Sequence, residues 1–203
     1  MIAAIVLSAG ESSRMGRPKA LLSLEGASFI ERIVSVFNVS KVGKIVVVLG
    51  HHAKEIRPRI QQLPIDIVVN KDYARGQLSS LIVALQSLEA GISKEEVDGV
   101  FVHLVDHPYL NRSLIDDMIE KFYVSKKLIV VPRYRGQRGH PVLIGSRLFP
   151  ELFSAPLDQG AKGVVRAHRD ETLEIETEDR GVVIDIDTPE EYRKQLGGDP
   201  WPK

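Results

Sequence analysis

The 203-residue chain contains no cysteine. That absence excludes disulfide staples, thiolate metal sites and cysteine nucleophiles, and it is compatible with a reducing compartment. Charge of one sign is not in excess either: 27 Lys and Arg balance 27 Asp and Glu. A polyanion-binding surface needs a strong basic excess, so no nucleic-acid partner is expected, although a local basic pocket fits the balance. Long apolar runs are missing too. No stretch approaches the roughly 18 apolar residues of a membrane span. The opening Met1-Ile2-Ala3-Ala4-Ile5-Val6-Leu7 is apolar but lacks a basic region before it and runs straight into Gly and charged residues. Neither a signal peptide nor a membrane is therefore expected, and the expected compartment is the cytoplasm.

The remainder is ordinary: 43% hydrophobic and 27% charged residues, in a length that suits one domain with a sizeable core. No repeat, low-complexity tract or linker interrupts it. We expect a single domain over residues 1–203, with 197–203 a mobile tail.

Short apolar runs alternate with helical periodicity. Residues 2–7, 45–49, 65–69, 100–105 and 128–131 read as buried strands. Ser28-Phe29-Ile30-Glu31 is a capping box, after which Ile30, Ile33, Val34 and Phe37 repeat on one face. Residues 79–90 predict a second helix stopped by Gly91, and Asn111 caps a third. Residues 133–139 predict a loop or hairpin and 142–144 a short strand. Residues 174–177 and 182–186 predict strands split by the turn Asp179-Arg180-Gly181, and residues 188–196 a closing helix with Pro189 in its first turn. Such alternation implies an α/β fold: a three-layer, Rossmann-like domain with a mostly parallel mixed sheet covered by helices on both faces.

The most informative stretch follows the first strand: Ser8-Ala9-Gly10-Glu11-Ser12-Ser13-Arg14-Met15-Gly16-Arg17-Pro18-Lys19. Open α/β sheets bind ligands at such strand ends. Gly10 and Gly16 permit turns that aim backbone N–H groups at an anion, and Arg14 and Lys19 place two cations in one loop. The spacing is not that of a P-loop or a dinucleotide fingerprint, because no Gly-Lys-Ser/Thr or Gly-x-Gly-x-x-Gly occurs here. The six histidines show no metal-ligand spacing. Asp106, ending an apolar strand, has the chemistry for Mg²⁺, which takes oxygen ligands alongside substrate phosphates; capping the next helix is its other use.

Leu7-Ser8-Ala9-Gly10-x3-Arg14-Met15-Gly16-x2-Lys19 resembles the signature loop of the molybdenum cofactor nucleotidylyltransferases, within the nucleotide-diphospho-sugar pyrophosphorylase fold. The resemblance continues at Gly76-Gln77-Leu78-Ser79-Ser80-Leu81, at Leu104-Val105-Asp106-His107-Pro108, at Gly139-His140-Pro141-Val142, at Asp158-Gln159-Gly160-Ala161-Lys162 and at Asp185-Ile186-Asp187-Thr188-Pro189-Glu190. It implies a Mg²⁺-dependent transfer of the NMP part of an NTP to a phosphorylated small molecule, with release of pyrophosphate. Arg14, Lys19 and Asp106 are then the catalytic set. Leu7, Ala9, Gly10, Arg14, Gly16, Lys19, Asn70, Gly76, Ser79 and Ser80 contact the nucleotide. Asp106 and Asp187 hold the metal, with Asp185 as alternate to Asp187 on one face of a strand, and helix capping as the other use of Asp187. His140 and Arg138, in a crowd with Arg133 and Arg135, face the acceptor. Ser79 doubles as an ordinary helix cap and Asn70 as a strand end.

Ala9 before the first loop glycine resembles the CTP-using branch, and its methyl disfavours a purine by steric exclusion. Molybdopterin is the implied acceptor, with a molybdoenzyme or its chaperone as onward partner. The chain departs from the family pattern at Ser8, His107, Leu157 and Lys162. Competing readings are a sugar-1-phosphate nucleotidylyltransferase, a GTP-using molybdopterin guanylyltransferase, and a non-catalytic nucleotide-binding partner on the same fold.

Overall fold

A computed structural model describes residues 1–91 and 96–198. Strand β1 (Ile2–Ser8) is the spine, buried along its whole length. Parallel neighbours flank it: β4 (Lys44–Leu49) on one side and β6 (Gly99–Leu104) on the other. β5 (Asp66–Val69) extends the β4 side, also parallel. On the far side β9 (Val142–Gly145) runs antiparallel to β6 and to β7 (Ile129–Tyr134), and β10 (Thr172–Glu176) closes that edge parallel to β7. The order is β10-β7-β9-β6-β1-β4-β5, with β8 (Gln137–Arg138) hydrogen-bonded to β7 as a hairpin. β2 (Ser23–Leu24) and β3 (Ala27–Ser28) form a separate small ribbon.

Two-residue alternation along β1 sorts its side chains into two cores. Ile2, Ala4 and Val6 face α1 (Phe29–Asn38), α2 (Ala53–Ile60), α4 (Arg112–Ser125) and α7 (Pro189–Leu196). Ala3, Ile5 and Leu7 face α3 (Gln77–Gly91), α5 (Phe149–Ser154) and α6 (Gly160–Ala167). Helices cover both faces of a mixed, mainly parallel sheet, as the sequence predicts.

The expected Ser28–Glu31 capping box starts α1, and the expected Asn111 cap starts α4, with its side chain accepting from the Ser113 N–H at 2.9 Å. The 133–139 segment is the β7–β8 hairpin; Arg135 and Gly136 both have positive φ (46° and 86°), the backbone of a tight two-residue connection. Three expectations change. The segment 182–186 is not a strand: a 3₁₀ turn (Arg180–Val183) leads into irregular backbone, because its amides bond within the turn and to Asp106 rather than to a sheet edge. α3 begins at Gln77, two residues early, and continues through Gly91, so this glycine does not stop the helix before itself. Helices α2, α5 and α6 were not anticipated. Of the expected tail, residues 199–203 lie outside the described residues.

Gly50, just after β4, is where two site elements touch. A Cβ placed there would lie 2.4 Å from the Ala9 carbonyl oxygen and 2.8 Å from both the Ala9 methyl and the Tyr73 Cβ. Overpacking of this kind against backbone costs about 2 kcal/mol. Gly50→Ala is therefore expected to lower the melting temperature by roughly 4–8 °C for a chain of this size. Gly10→Ala, which would meet nothing within 4 Å, is expected to leave it nearly unchanged. Scanning calorimetry of the two variants checks both; equal losses would refute the Gly50 contact.

Candidate functional site

Register sets the site. Leu7 on β1 is level with Leu104 on β6, and the Val105 N–H donates to the Leu7 carbonyl at 3.2 Å. The loop after β1 and the segment after β6 therefore leave the sheet side by side at their C-terminal ends, the ordinary place for a ligand in an open α/β sheet.

The β1 loop folds back on Ser12, which takes φ 51°. Its carbonyl accepts from the N–H groups of Met15 (3.0 Å) and Gly16 (2.9 Å), and its hydroxyl from the Lys19 N–H (3.2 Å). The Gly16 N–H is thus spent inside the loop rather than offered to an anion. Met15, nearly fully buried, anchors the loop in the core. These contacts deliver Lys19 to the crevice.

There four charges meet. The Lys19 ammonium lies 3.2 Å from Asp106 Oδ2 and also donates to Asp187 Oδ1, while Arg14 Nη2 donates to Asp187 Oδ2. The Lys19 side chain is only 11% exposed. Asp187 is not consumed as a cap: Thr188 caps α7, and Glu191 accepts from the N–H groups of Asp187 (2.8 Å) and Thr188 (2.9 Å). The backbone joins the two carboxylate segments, because the Ile186 N–H donates to the Asp106 carbonyl at 2.9 Å. Burial raises the Asp187 pKa, but the hydrogen bond and charge of Lys19, with Arg14, outweigh it and hold the group below its ordinary value.

Two cavities meet at this cluster. The first, about 270 Å³, is lined by Leu7, Ser8, Ala9, Gly10, Ser12, Pro18, Lys19, Ala20, His52, Ile56, Tyr73, Gly76, Gln77, Ser80, Leu104, Val105 and Asp106. Of the expected nucleotide residues, Leu7, Ala9, Gly10, Lys19, Gly76 and Ser80 line it, and Arg14, Gly16, Asn70 and Ser79 do not. Arg14 reaches only the carboxylate cluster. Asn70 is a buried hub: its side-chain amide donates to the Ser79 (2.9 Å) and Ser80 (3.0 Å) hydroxyls, and its carbonyl accepts from the Asp72 N–H (2.9 Å). Ser79, inside α3, donates to the Gly76 carbonyl at 2.7 Å and caps nothing. Asn70 and Ser79 thus brace the cavity wall from behind. His52, Tyr73 and Gln77 were missed; they come from segments with no motif beyond the Gly76-Gln77 pair. His52 Nε2 lies 2.9 Å from the Glu11 carbonyl, tying the loop to the start of α2.

The second cavity, about 570 Å³, shares Gln77, Leu104 and Asp106 with the first. His140, Arg138 and Asp185 line it. Asp185 is not beside Asp187 on a strand face, because that segment is not a strand. The Arg138 guanidinium is 2.6 Å from Glu174 Oε1, and Arg133 pairs with Glu174 and Glu176, so two of the crowded arginines brace β10. The rings of His107 and His140 lie 4.6 Å apart, with His103 behind them. Burial, then the charge of His107, pushes His140 down to about 4.

The donor set fits a divalent cation of the Mg²⁺ type. Asp106 Oδ1 is buried with no hydrogen-bond partner. Among the described residues no cluster of three or more His, Asp or Glu could hold a metal alone, so Asp106 and Asp187 would leave positions for water and phosphate, which is how Mg²⁺ is commonly held.

A crevice at a sheet switch point, two cations and two converging carboxylates fit the class of α/β nucleotidyltransferases. Comparison with known proteins is specific. Residues 4–172 match the MobA-like NTP transferase domain, and the chain belongs to that family. It is 28% identical over 203 residues to a nicotine blue oxidoreductase from Paenarthrobacter nicotinovorans, covering 96% of each chain. It is 26% identical over 190 residues to the molybdenum cofactor cytidylyltransferase of Escherichia coli K12, covering 93% of this chain and 92% of that one. The crystal structure of Rv0371c from Mycobacterium tuberculosis H37Rv superposes with a TM-score of 0.83 at 28% identity over 97% of both chains. The same protein in complex with manganese gives 0.79 at 27% identity, over 96% of this chain and 97% of that one. Among the described residues no helix is long and apolar enough to cross a membrane.

His140 carries a pH prediction. Unfolded, it takes a proton near 6.5; folded, only near 4. The unfolded chain therefore binds more protons between those values, and stability falls as pH drops from about 6.5 to about 4. Denaturant titrations across this window are expected to show that loss, and His140→Gln a shallower one. An unchanged slope in the variant would rule His140 out as a source.

Proposed function

We propose that the chain transfers the nucleoside monophosphate of an NTP, with CTP favoured, to the phosphate of a small-molecule acceptor, with molybdopterin favoured, and releases pyrophosphate. The observation that carries this reading is the position of Asp106, Lys19 and Asp187 at the seam between two cavities that share Asp106 and Gln77. One cavity takes the nucleotide and the other the acceptor, so the α-phosphate and its attacking oxygen meet at the seam.

Asp106 and Asp187 would hold Mg²⁺. The bound ion supplies charge neutralisation and orients the phosphates. Lys19 and Arg14, already counter-charges in the same cluster, stabilise the departing pyrophosphate. No covalent intermediate is required of the protein; its part is to place two mutually repelling anions in line. The molybdenum cofactor cytidylyltransferase among the relatives supports CTP and molybdopterin, and the manganese complex of Rv0371c supports a divalent ion. The Ala9 methyl supports a small base. Ala9 lines the first cavity, and Gly50 backs it closely enough that a Cβ there would lie 2.8 Å from the methyl. A molybdoenzyme or its chaperone is the onward partner under this reading.

The test is pyrophosphate release with each NTP, Mg²⁺ and molybdopterin, beside a panel of sugar 1-phosphates. CTP with molybdopterin is expected to give the highest kcat/KM. Preference for GTP would move the chain to the guanylyl branch, and turnover only with a sugar 1-phosphate would replace the acceptor. Nucleotide binding without pyrophosphate from any pairing would overturn the catalytic reading. Asp106→Ala is expected to lower kcat by about 10²–10³-fold or more. Lys19→Ala is expected to raise KM for the NTP and lower kcat, since both a phosphate contact and the carboxylates' counter-charge are lost. A near-native rate for Asp106→Ala would refute the metal assignment.

A further inference from the structure

Far from the carboxylate cluster, the sheet ends in an open edge. β5 is last in the strand order and pairs only with β4, in parallel. The Asn70 N–H donates to the Leu49 carbonyl at 2.8 Å, so Asn70 faces β4. In a parallel ladder the two backbone polar groups of one residue point the same way, and alternate residues point oppositely. Asp66 and Val68 therefore turn to β4, and the N–H and C=O groups of Ile67 and Val69 point off the sheet. Among the described residues no strand pairs with them. Side chains alternate between the faces: Ile67 packs on the α2 side and Val68 on the α3 side, which puts Val69, 38% exposed, on the α2 side.

This edge lies in a groove of one charge. Two hollows run along it: one of about 670 Å³, lined in part by Lys54, Arg57, Val69 and Lys71, and one of about 370 Å³, lined in part by Arg57, Asp66, Ile67 and Val68. Arg57 belongs to both. Lys54, Arg57 and Lys71 are exposed, and none has a hydrogen-bond or ion-pair partner among the described residues. Glu55 is the only carboxylate lining the larger hollow, and Asp66 in the smaller one is held by the Lys44 ammonium at 2.7 Å. The chain as a whole balances 27 basic against 27 acidic residues, so the excess here is local. Charges on a free edge ordinarily keep other edges away. A second copy paired here about a two-fold axis would set the same three cations against their own kind. A strand carrying carboxylates meets the opposite potential and is drawn in.

We propose that the β5 edge is a docking groove for an extended acidic segment of a partner protein, which adds a strand beside Ile67 and Val69 and turns alternate carboxylates toward Lys54, Arg57 and Lys71. Main-chain hydrogen bonds to the open edge supply affinity, and the three cations select the sequence. Alternate side chains of a strand stand roughly 7 Å apart on one face, a spacing that lets successive carboxylates reach different cations. None of the residues of the catalytic cluster takes part, so docking is separable from turnover.

Calorimetric titration of the full chain tests this with four probes: a capped seven-residue peptide alternating glutamate and valine, the same peptide with lysine for glutamate, the glutamate peptide with its backbone amides N-methylated, and tripolyphosphate. The glutamate peptide is expected to bind the wild type with a Kd below roughly 1 mM, and the lysine and N-methylated peptides at least about tenfold more weakly. Val69→Pro removes an outward N–H and no bond to β4, a place where a strand tolerates proline, and should weaken the glutamate peptide about tenfold with the fold kept. Arg57→Glu should weaken it as much and strengthen the lysine peptide. Should Val69→Pro fail to fold, the N-methylated peptide and Arg57→Glu still decide. A wild type that does not bind the glutamate peptide, or binds its N-methylated form equally well, overturns the proposal, as does a Kd unmoved by Arg57→Glu. Tripolyphosphate bound more tightly than the peptide would make the groove an anion site and overturn it too. A wild-type dimer in sedimentation that Val69→Pro dissociates would give the edge to a second copy instead.

Discussion

One buried ammonium ties the site together. Lys19 sits between Asp106 and Asp187, residues that arrive from the middle and the C-terminal part of the chain. Without it two carboxylates would face each other in a partly dehydrated crevice with only Arg14 beside one of them; its ammonium offsets that repulsion for both. The position of Lys19 depends in turn on Ser12, whose carbonyl and hydroxyl close the loop, and on Met15, which pins that loop to the core. The residues that carry charge are few, and the residues that aim them are mostly apolar or backbone.

The aim is also set by the sheet. Parallel register puts the ends of β1 and β6 level, and backbone hydrogen bonds then run from Val105 to Leu7 and from Ile186 to Asp106. The first fixes the Asp106 segment relative to the loop bearing the cations, and the second ties the Asp187 segment to that of Asp106. Backbone geometry of this kind tolerates little side-chain variation at Gly50, where β4, the loop and Tyr73 come into contact. The first cavity is therefore bounded by backbone and by the buried Asn70–Ser79–Ser80 network, both stiff under substitution pressure.

Much of this was legible in the chain. The strands that form the buried half of the sheet are continuous apolar runs, and α1 and α4 carry caps at the right places. Helices α2, α5 and α6 span only six to eight residues each and start without a side-chain cap, so the chain carries no clear boundary signal for them. α2 has Ile56 and Ile60 against Lys54, Glu55, Arg57, Pro58 and Arg59, and α6 buries only Val164. Asp187 was balanced between metal and cap; the chain alone did not reveal that Thr188, reinforced by Glu191, takes the cap. The chain leaves Asn70 and Ser79 open between ligand and structural roles; in the structure their polar atoms turn to each other. The arginine crowd at 133–138 looked free because its partners, Glu174 and Glu176, lie far along the sequence on a strand whose pairing no local pattern announces.

The two cavities differ in how they are made, and this bears on what each can discriminate. The first is enclosed by strand ends, glycines and a satisfied polar network, so its shape is set by the same contacts that hold the sheet. The second rests on strands β6, β7 and β9 but is otherwise walled by a hairpin, a 3₁₀ turn and a helix with one buried side chain. Substitutions at exposed positions of that helix remove little core packing, so they cost little stability. Lys162 and Arg166 are of that kind, exposed on one side and unpaired. Under the proposed function the nucleotide cavity is therefore the more constrained of the two, because its walls are also what holds the sheet together.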